Sequence, residues 1–329
     1  VEEKIVSLIG KSLEKLSPAR LSFGRTKAYF AVNRRVEKES GYVIGVNRRG
    51  PVDHDVPFLT VDGERGELRA VIFGYACHNT TLGGEFYEFH GDYAGFAQAW
   101  LEKRHPEAVA MYVAGCGADA NPYPRREKKW VEEHGMALAR AVEGALTGPL
   151  KKVGGPLRSR FEKIPLAFAT PPTRAELEQQ KLSENVYRRR HAQAMLKILD
   201  RDGRLPEAYP YPLQVWQFGK DLTLIALAGE VVVDYALRFK QEFGSENTWV
   251  VGYSNDVFAY VPSLRVLQEG GYEAEGAMIY YGQPTKFAPS VEDSIVEGIR
   301  RMVRQVRGDE DPHKPGRLTT GHRRREARE

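Results

Sequence analysis

The stretch Val71-Ile-Phe-Gly-Tyr-Ala-Cys-His78-Asn-Thr-Thr81 constrains the fold of this chain more than any other. An apolar run ends abruptly in a histidine followed by small polar groups. That is the pattern of a buried strand delivering one reactive side chain to the rim of a sheet. It recurs at Ala110–Asp119, Leu222–Glu230 and Thr248–Asp256. Strands ending in His78, Asp119, Glu230 and Asp256 predict an α/β fold with a mixed open sheet flanked by helices. In such sheets ligands bind at the strand ends.

The 329 residues suit one large domain, or two small ones, with ample apolar material for a core. A net charge of +4 is too mild to argue for nucleic acid. The basic excess is local, in Gly321-His-Arg-Arg-Arg-Glu-Ala-Arg328, which follows Asp309-Glu-Asp-Pro-His-Lys-Pro without apolar periodicity. Residues 1–307 therefore read as the folded domain and 308–329 as a disordered basic tail, ordinarily a solvated end. The two cysteines, Cys77 and Cys116, end buried strands and read as core thiols; their number excludes a disulfide framework. No stretch is long and apolar enough to span a bilayer, and the compartment stays open.

The first residues, Val1 to Leu16, place apolar side chains at helical spacing without a cap. They read as a helix already under way, in a sequence that begins inside a larger domain. A hairpin is expected between Phe58-Leu-Thr-Val and Leu68–Ala76, turning at Asp62-Gly63. Asp92 is the expected N-cap of a helix carrying Phe96, Ala97, Trp100 and Leu101. A strand at 108–114 and a helix through Trp130, His134, Leu138 and Val142 follow. A helical insertion is expected over about 171–212, as one long charged helix from Arg174 to Leu199 closed by Tyr209-Pro-Tyr-Pro212. Strands 213–218 and 222–228 form a hairpin at Gly219-Lys220, before a helix at 231–243, a strand at 248–253 and a final helix near 291–306.

His78 reads either as a core histidine or as a ligand, since neutral imidazole suits zinc and similar metals. Glu230 reads either as a cap of the following helix or as a metal ligand, because an unpaired buried carboxylate is costly. Asp119 sits on a glycine-rich turn, Gly115-Cys-Gly-Ala-Asp, of the sort whose N–H groups approach a bound anion, although the spacing is not that of a phosphate loop. Asp53-His54-Asp55 has metal-like composition, but adjacent residues rarely share one ion; His90 and Asp92 are similar. His105, His134, His191, His313 and His322 read as surface residues. Spacing alone reaches a polar, metal-capable pocket on an α/β sheet.

At these residues the sequence resembles the neutral/alkaline, non-lysosomal ceramidase family, from about Leu13 to Val306. The most specific stretches are Asn33-Arg34, Phe73–Thr81 with Gly91-Asp92-Tyr-Ala-Gly95, Gly229-Glu230, Gly252-Tyr-Ser-Asn255 through Tyr260-Val-Pro-Ser263, and Gly271-Tyr272-Glu273 to Tyr281-Gly282. The family holds one zinc ion with two histidines, a glutamate and a tyrosine. The resemblance implies His78 as the second histidine, Glu230 as the glutamate and Tyr260 as the tyrosine. The first family histidine lies in a Thr-His-Thr-His segment that this sequence does not contain, so 1–307 is expected to be an N-terminally incomplete catalytic domain. Arg34 and Tyr272 match positions that line the active site near the substrate amide. Where the family has Gly-Asp-Val-Ser-Pro-Asn, this chain has Gly117-Ala-Asp119-Ala120-Asn121-Pro122, with Ala120 at the serine position.

The resemblance implies a zinc-dependent amide hydrolase that cleaves the N-acyl bond of ceramide or a similar N-acyl lipid with metal-activated water. Asp119 is the residue expected to orient that water. Peripheral contact with a membrane surface fits such a substrate; nucleic acid does not, and the oligomeric state stays open. Two other readings remain: a hydrolase of a non-sphingolipid amide or ester on the same scaffold, and a binding protein without catalysis.

Overall fold

The computed structural model describes residues 1–308. The tail expected at 308–329 lies outside the described residues apart from Gly308, which caps the last helix. Among the described residues no helix is long and apolar enough to cross a membrane.

In chain order the elements are α1 (Glu2–Glu14), β1 (Arg20–Lys27), β2 (Ala31–Lys38), β3 (Gly41–Asn47), β4 (Asp55–Asp62), β5 (Leu68–Tyr75), α2 (Asp92–Arg104), β6 (Val109–Ala114), β7 (Ala120–Pro122), α3 (Lys128–Leu146), β8 (Lys151–Val153) and β9 (Leu157–Ala167). There follow α4 (Arg174–Gln180), α5 (Val186–Asp202), β10 (Ala208–Phe218), β11 (Leu222–Leu227), β12 (Glu230–Val231), α6 (Val233–Phe243), β13 (Thr248–Val251), β14 (Tyr260–Val261), α7 (Leu264–Glu269) and α8 (Val291–Arg307). A π-turn, Tyr272–Gly276, and a short 3₁₀ turn, Met278–Tyr280, link the last two helices.

Two sheets form the centre. The first has the order β6-β5-β4-β1-β8 and the second β13-β11-β10-β9. Each is antiparallel except for one parallel pair, β5 with β6 and β11 with β13. Strand alternation explains how they stack. Val71, Phe73 and Tyr75 of β5 point to a core shared with α2 and α3. Ile72 points the other way, into a layer containing Phe23, Leu59, Leu222, Ala226 and Trp249. Beyond it, Ile225 and Leu227 of β11 meet α6 and α8. The result is helix, sheet, sheet, helix, with two sheets where the sequence read as one. A bridge between Gly115 and Val251, with Gly252 N–H donating to Ala114 at 3.0 Å, joins the sheets at the carboxyl ends of both parallel pairs. Two smaller sheets, β3-β2-β7 and the parallel pair β12-β14, cover that end.

The hairpins at β4-β5 and β10-β11 form as expected. Three expectations change. The long charged helix is two helices, because Asn185 caps a fresh start by accepting the N–H groups of Tyr187 and Arg188. Tyr209–Pro212, expected to close the excursion, already lies in β10, paired with β9 from Ala208 onward. Gly91, rather than Asp92, is the N-cap of α2. α4 and α5 share a small core of Leu177, Ala192, Met195, Leu196 and Leu205. α5 packs on the segment before Tyr281, with Tyr187 and Tyr280 at 5.0 Å between ring centroids and His191 Nε2 donating to the Gln283 carbonyl at 2.7 Å. α1 buries none of its residues.

Candidate active site

β5 ends one turn before His78, and the following backbone fixes this side chain. His78 N–H donates to the Ala120 carbonyl at 3.1 Å. Its Nδ1 lies 3.0 Å from the Gly117 carbonyl and 3.1 Å from that of Ala120. Carbonyl oxygens only accept, so Nδ1 carries the proton and Nε2 points inward. The turn comes this close because position 117 is glycine; a Cβ there would sit 2.3 Å from Cys77 N. The glycine-rich turn thus presents carbonyls to an imidazole, where the sequence suggested N–H groups facing an anion.

Glu230 and Tyr260 come from the other side. They are register partners in the parallel pair β12-β14. The chain enters β12 through Gly229, whose positive φ of 75° and close approach to the Ala259 carbonyl leave no room for a side chain. His78 Nε2 lies 2.9 Å from Glu230 Oε2 and 3.2 Å from Tyr260 Oη. Tyr253 Oη donates to Glu230 Oε2 at 3.0 Å, and Tyr281 Oη donates to Glu230 Oε1. Tyr253 is held at a φ of 53°, a strained value for a residue with a side chain.

Burial works to raise the Glu230 carboxyl, but the hydrogen bond and charge of His78 and the hydroxyls of Tyr281 and Tyr260 bring it down to about 2. It is a carboxylate at neutral pH. Burial pushes the Tyr260 phenol up, with Arg34 pulling back. Arg34 Nη2 donates to Tyr260 Oη at 3.1 Å, and its Nε donates to Glu273 at 2.7 Å. Burial disfavours the Arg34 charge, yet Tyr260 and Glu273 more than restore it. Glu273 also binds Arg35 at 2.6 Å, so one buried carboxylate serves two adjacent guanidiniums. Tyr272 closes the group: its ring stands edge-on to Tyr260 at 5.4 Å and lies 5.7 Å from the Arg34 guanidinium carbon.

Five of the six expected site residues therefore converge: Arg34, His78, Glu230, Tyr260 and Tyr272. Asp119 faces elsewhere. Its carboxylate accepts from Asn33 Nδ2 at 3.0 Å and from Val233 N–H, the first of α6, at 2.9 Å. Its carbonyl accepts the Arg34 N–H at 2.7 Å. The expectation that it orients a water gives way to a brace: as a helix cap and strand anchor it ties β2 to α6. Burial holds its carboxyl up at about 6, with the Val233 N–H pulling it down. Asp256, the fourth strand end, accepts from Tyr209 and does not join the cluster.

The metal-like Asp53-His54-Asp55 dissolves, since Asp53 and Asp55 both bind Lys240 Nζ, at 2.6 and 2.9 Å; His90 Nδ1 accepts the Asp92 N–H at 2.9 Å and the Asp92 carboxylate accepts the Leu82 N–H at 3.1 Å, so that pair is engaged in its own turn. His134 and His191, expected at the surface, are buried; His134 stacks on Phe30 and donates to the Pro124 carbonyl at 2.7 Å. Tyr253, Tyr281 and Glu273 stood within the family-like stretches without an assigned role, as did Asn121, which accepts from Arg34 Nη1 at 3.4 Å. Tyr253 carried a usable signal, because it too directly ends a buried strand.

The donor set can be tested against a metal. With Nδ1 donating to two carbonyls, His78 meets the carboxylate oxygen 2.9 Å from Nε2 either as the imidazolium whose charge holds Glu230 low or, when neutral, with a bare lone pair. Two acceptors face each other at that distance only with a cation between or upon them, either a proton or a metal ion. One nitrogen and two oxygens, with the imidazole oriented from behind by carbonyls, fit a zinc site that keeps a position open. Among the described residues no three His, Cys, Asp or Glu side chains converge, so the phenol is needed to complete a three-donor set.

No family profile matches this chain. No curated protein sequence matches it either. Solved structures do. The neutral ceramidase from Pseudomonas aeruginosa superposes on 92% of this chain and 55% of its own, with a TM-score of 0.66 at 18% identity. A ceramidase complexed with C2 superposes on 89% of this chain and 55% of its own, with a TM-score of 0.61 at 17% identity. The chain thus spans about 55% of the length of these structures, and the likeness is one of fold.

Proposed function

Because the chain has the fold of the neutral ceramidases, we propose that it carries a ceramidase-like hydrolase site for the N-acyl bond of ceramide or a similar N-acyl lipid. The observation that carries the reading is the meeting of His78, Glu230 and Tyr260 within hydrogen-bonding distance of His78 Nε2, beside a charged Arg34.

In this reading His78, Glu230 and Tyr260 hold zinc. When bound, zinc supplies Lewis acidity that makes water a nucleophile near neutral pH. The rest falls to the chain. The Gly117 and Ala120 carbonyls fix the imidazole tautomer. Tyr253 and Tyr281 hold the Glu230 carboxylate in place. Arg34, kept charged by Glu273, and the Tyr272 hydroxyl offer donors to the oxygen that gains charge as the amide is attacked; one such donor is worth about 3–4 kcal/mol. Asp119 acts as a positioning residue, holding the backbone of Asn33 and Arg34.

A second reading, a non-sphingolipid amide or ester on the same scaffold, is favoured by one observation. The family's serine position is Ala120, fully buried, and only its carbonyl reaches the site.

The test is metal content together with turnover. The purified chain, supplied with excess zinc, is expected to bind it only weakly, since three donors without the first family histidine hold it, and to release fatty acid from short N-acyl amides. His78→Ala and Glu230→Ala should lose both. A metal-free chain that hydrolyses at the same rate would remove the zinc reading, and a panel of ceramide, N-acyl amine and ester substrates separates the two substrate classes.

A further inference from the structure

We propose that the cavity between the helical insertion α4-α5 and the segment 275–286 is a binding site for an amino acid with an apolar side chain. The cavity has a volume of about 670 Å³, and none of the candidate active-site residues lines it. Tyr280 touches both regions, with its ring 5.0 Å from Tyr187 of α5 and 6.2 Å from Tyr272 of the candidate site. One side chain on the cavity wall lacks a partner. His191 is buried, and its Nε2 donates to the Gln283 carbonyl at 2.7 Å. The proton is therefore on Nε2, and in the neutral ring Nδ1 is a bare acceptor. Nδ1 is buried with no partner among the described residues. An unmet buried acceptor is costly, and a donor brought by a ligand removes that cost.

The two helices offer opposite charges to the same space. α4 places Glu176 on the wall. Thr173 N–H at 2.6 Å and Thr173 Oγ1 at 2.8 Å both donate to its Oε2, so Oε1 has no partner among the described residues. α5 places Arg188 there, three residues before His191 and so on the same helix face. Asn185 takes the Arg188 backbone N–H, but the guanidinium enters no ion pair or hydrogen bond among the described residues. The other two charges on the wall, Glu275 and Lys286, match each other at 2.9 Å. What stays open is one carboxylate oxygen, one guanidinium and one acceptor nitrogen. An ammonium meets the first and the last, and a carboxylate meets the second. A molecule that carries both is a zwitterion, and the α-amino acid is its simplest form. Met278, Ile279 and Pro284 complete the wall with an apolar strip, which favours an aliphatic or aromatic side chain.

Isothermal titration calorimetry of the purified chain with leucine and with phenylalanine tests this. It reads binding alone, so its failure leaves the hydrolase reading untouched. One equivalent of at least one of the two is expected to bind. Isocaproate and isoamylamine, which each keep a single pole of leucine, should bind roughly tenfold more weakly or worse. Glu176→Gln removes the charge but retains the capping box, which Gln also forms. Arg188→Gln changes an exposed side chain. Each should weaken binding roughly tenfold. His191→Gln keeps a donor for the Gln283 carbonyl and removes Nδ1, with a similar loss. Should that variant fail to fold, the two charge variants decide. Wild-type protein that binds neither amino acid overturns the proposal, and so does unchanged binding by either charge variant. Isocaproate or isoamylamine binding as tightly as leucine overturns it too, since the cavity would then hold a single ion or an apolar chain.

Discussion

Glu230 and Tyr260 are register partners in the two-residue parallel ladder β12-β14. Paired residues in a ladder put their side chains on the same face. A carboxylate and a phenol more than twenty residues apart are thereby set side by side by backbone hydrogen bonds alone, and His78 needs only to reach them from the neighbouring sheet.

The carboxylate of that pair depends on its hydroxyl donors. Tyr281→Phe removes the donor to Glu230 Oε1 without changing the ring. Loss of an outer partner of this kind is expected to cost roughly 10–100-fold in zinc affinity or turnover, with the melting temperature nearly unchanged. Zinc titration against a competing chelator checks this; unchanged affinity and rate would show that the hydroxyl is dispensable.

Glu273 is shared by Arg34 and Arg35, and all three side chains are buried. Glu273→Ala leaves two adjacent guanidiniums without their common carboxylate. Breaking a buried pair from one side is expected to destabilise by about 3–5 kcal/mol, read by urea unfolding. A loss below 1 kcal/mol would mean that water or Glu269 has taken over the charge.

Lys240 is expected to behave similarly. Its ammonium neutralises Asp53 and Asp55 together, with Arg25 completing the group at Asp55. Lys240→Met should lower stability by about 3–5 kcal/mol, and Asp53→Asn added to it should recover part of the loss. No recovery in the double variant would rule out charge as the cause.

Asp119 gives a pH signature. Its folded-state value of about 6 stands above the ordinary 3.8. Protonation therefore favours the fold: the contribution is complete below 3.8 and is lost as pH rises through about 6. The displacement corresponds to something on the order of 3 kcal/mol. Asp119→Asn cannot ionise, so it should gain on the wild type as pH rises across that window, whatever its fixed cost against the Asn33 amide. Parallel stability curves for the two proteins would defeat the assignment.

Much of this was legible in the chain. Apolar runs that end abruptly pointed to His78 and Glu230 before any fold was known, the family-like motifs added Arg34, Tyr260 and Tyr272, and the fold brings these five side chains together. The signal could not say where a side chain points. Asp119 ends its strand in the same way, yet its turn rotates it toward α6. Tyr281 lies in a loop whose conformation depends on α5 packing against it, so no local pattern marks it. The division into two sheets was hidden as well, because β5 and β11 are apolar on both faces and read alike whether a helix or a second sheet covers them. Asn185 broke the long charged helix through one side-chain cap, a contact invisible to periodicity.

Trp249 sits in the layer between the two sheets, 6.3 Å from Phe23 and pressed against Gly74. His78 follows β5 of one sheet and Glu230 follows β11 of the other, so the width of this filling is a spacer between the two strand ends that bring them together. Thinning it tunes the gap as a shim tunes a jaw. A smaller residue in place of Trp249 is therefore expected to change the distance between His78 and Glu230 although it touches neither.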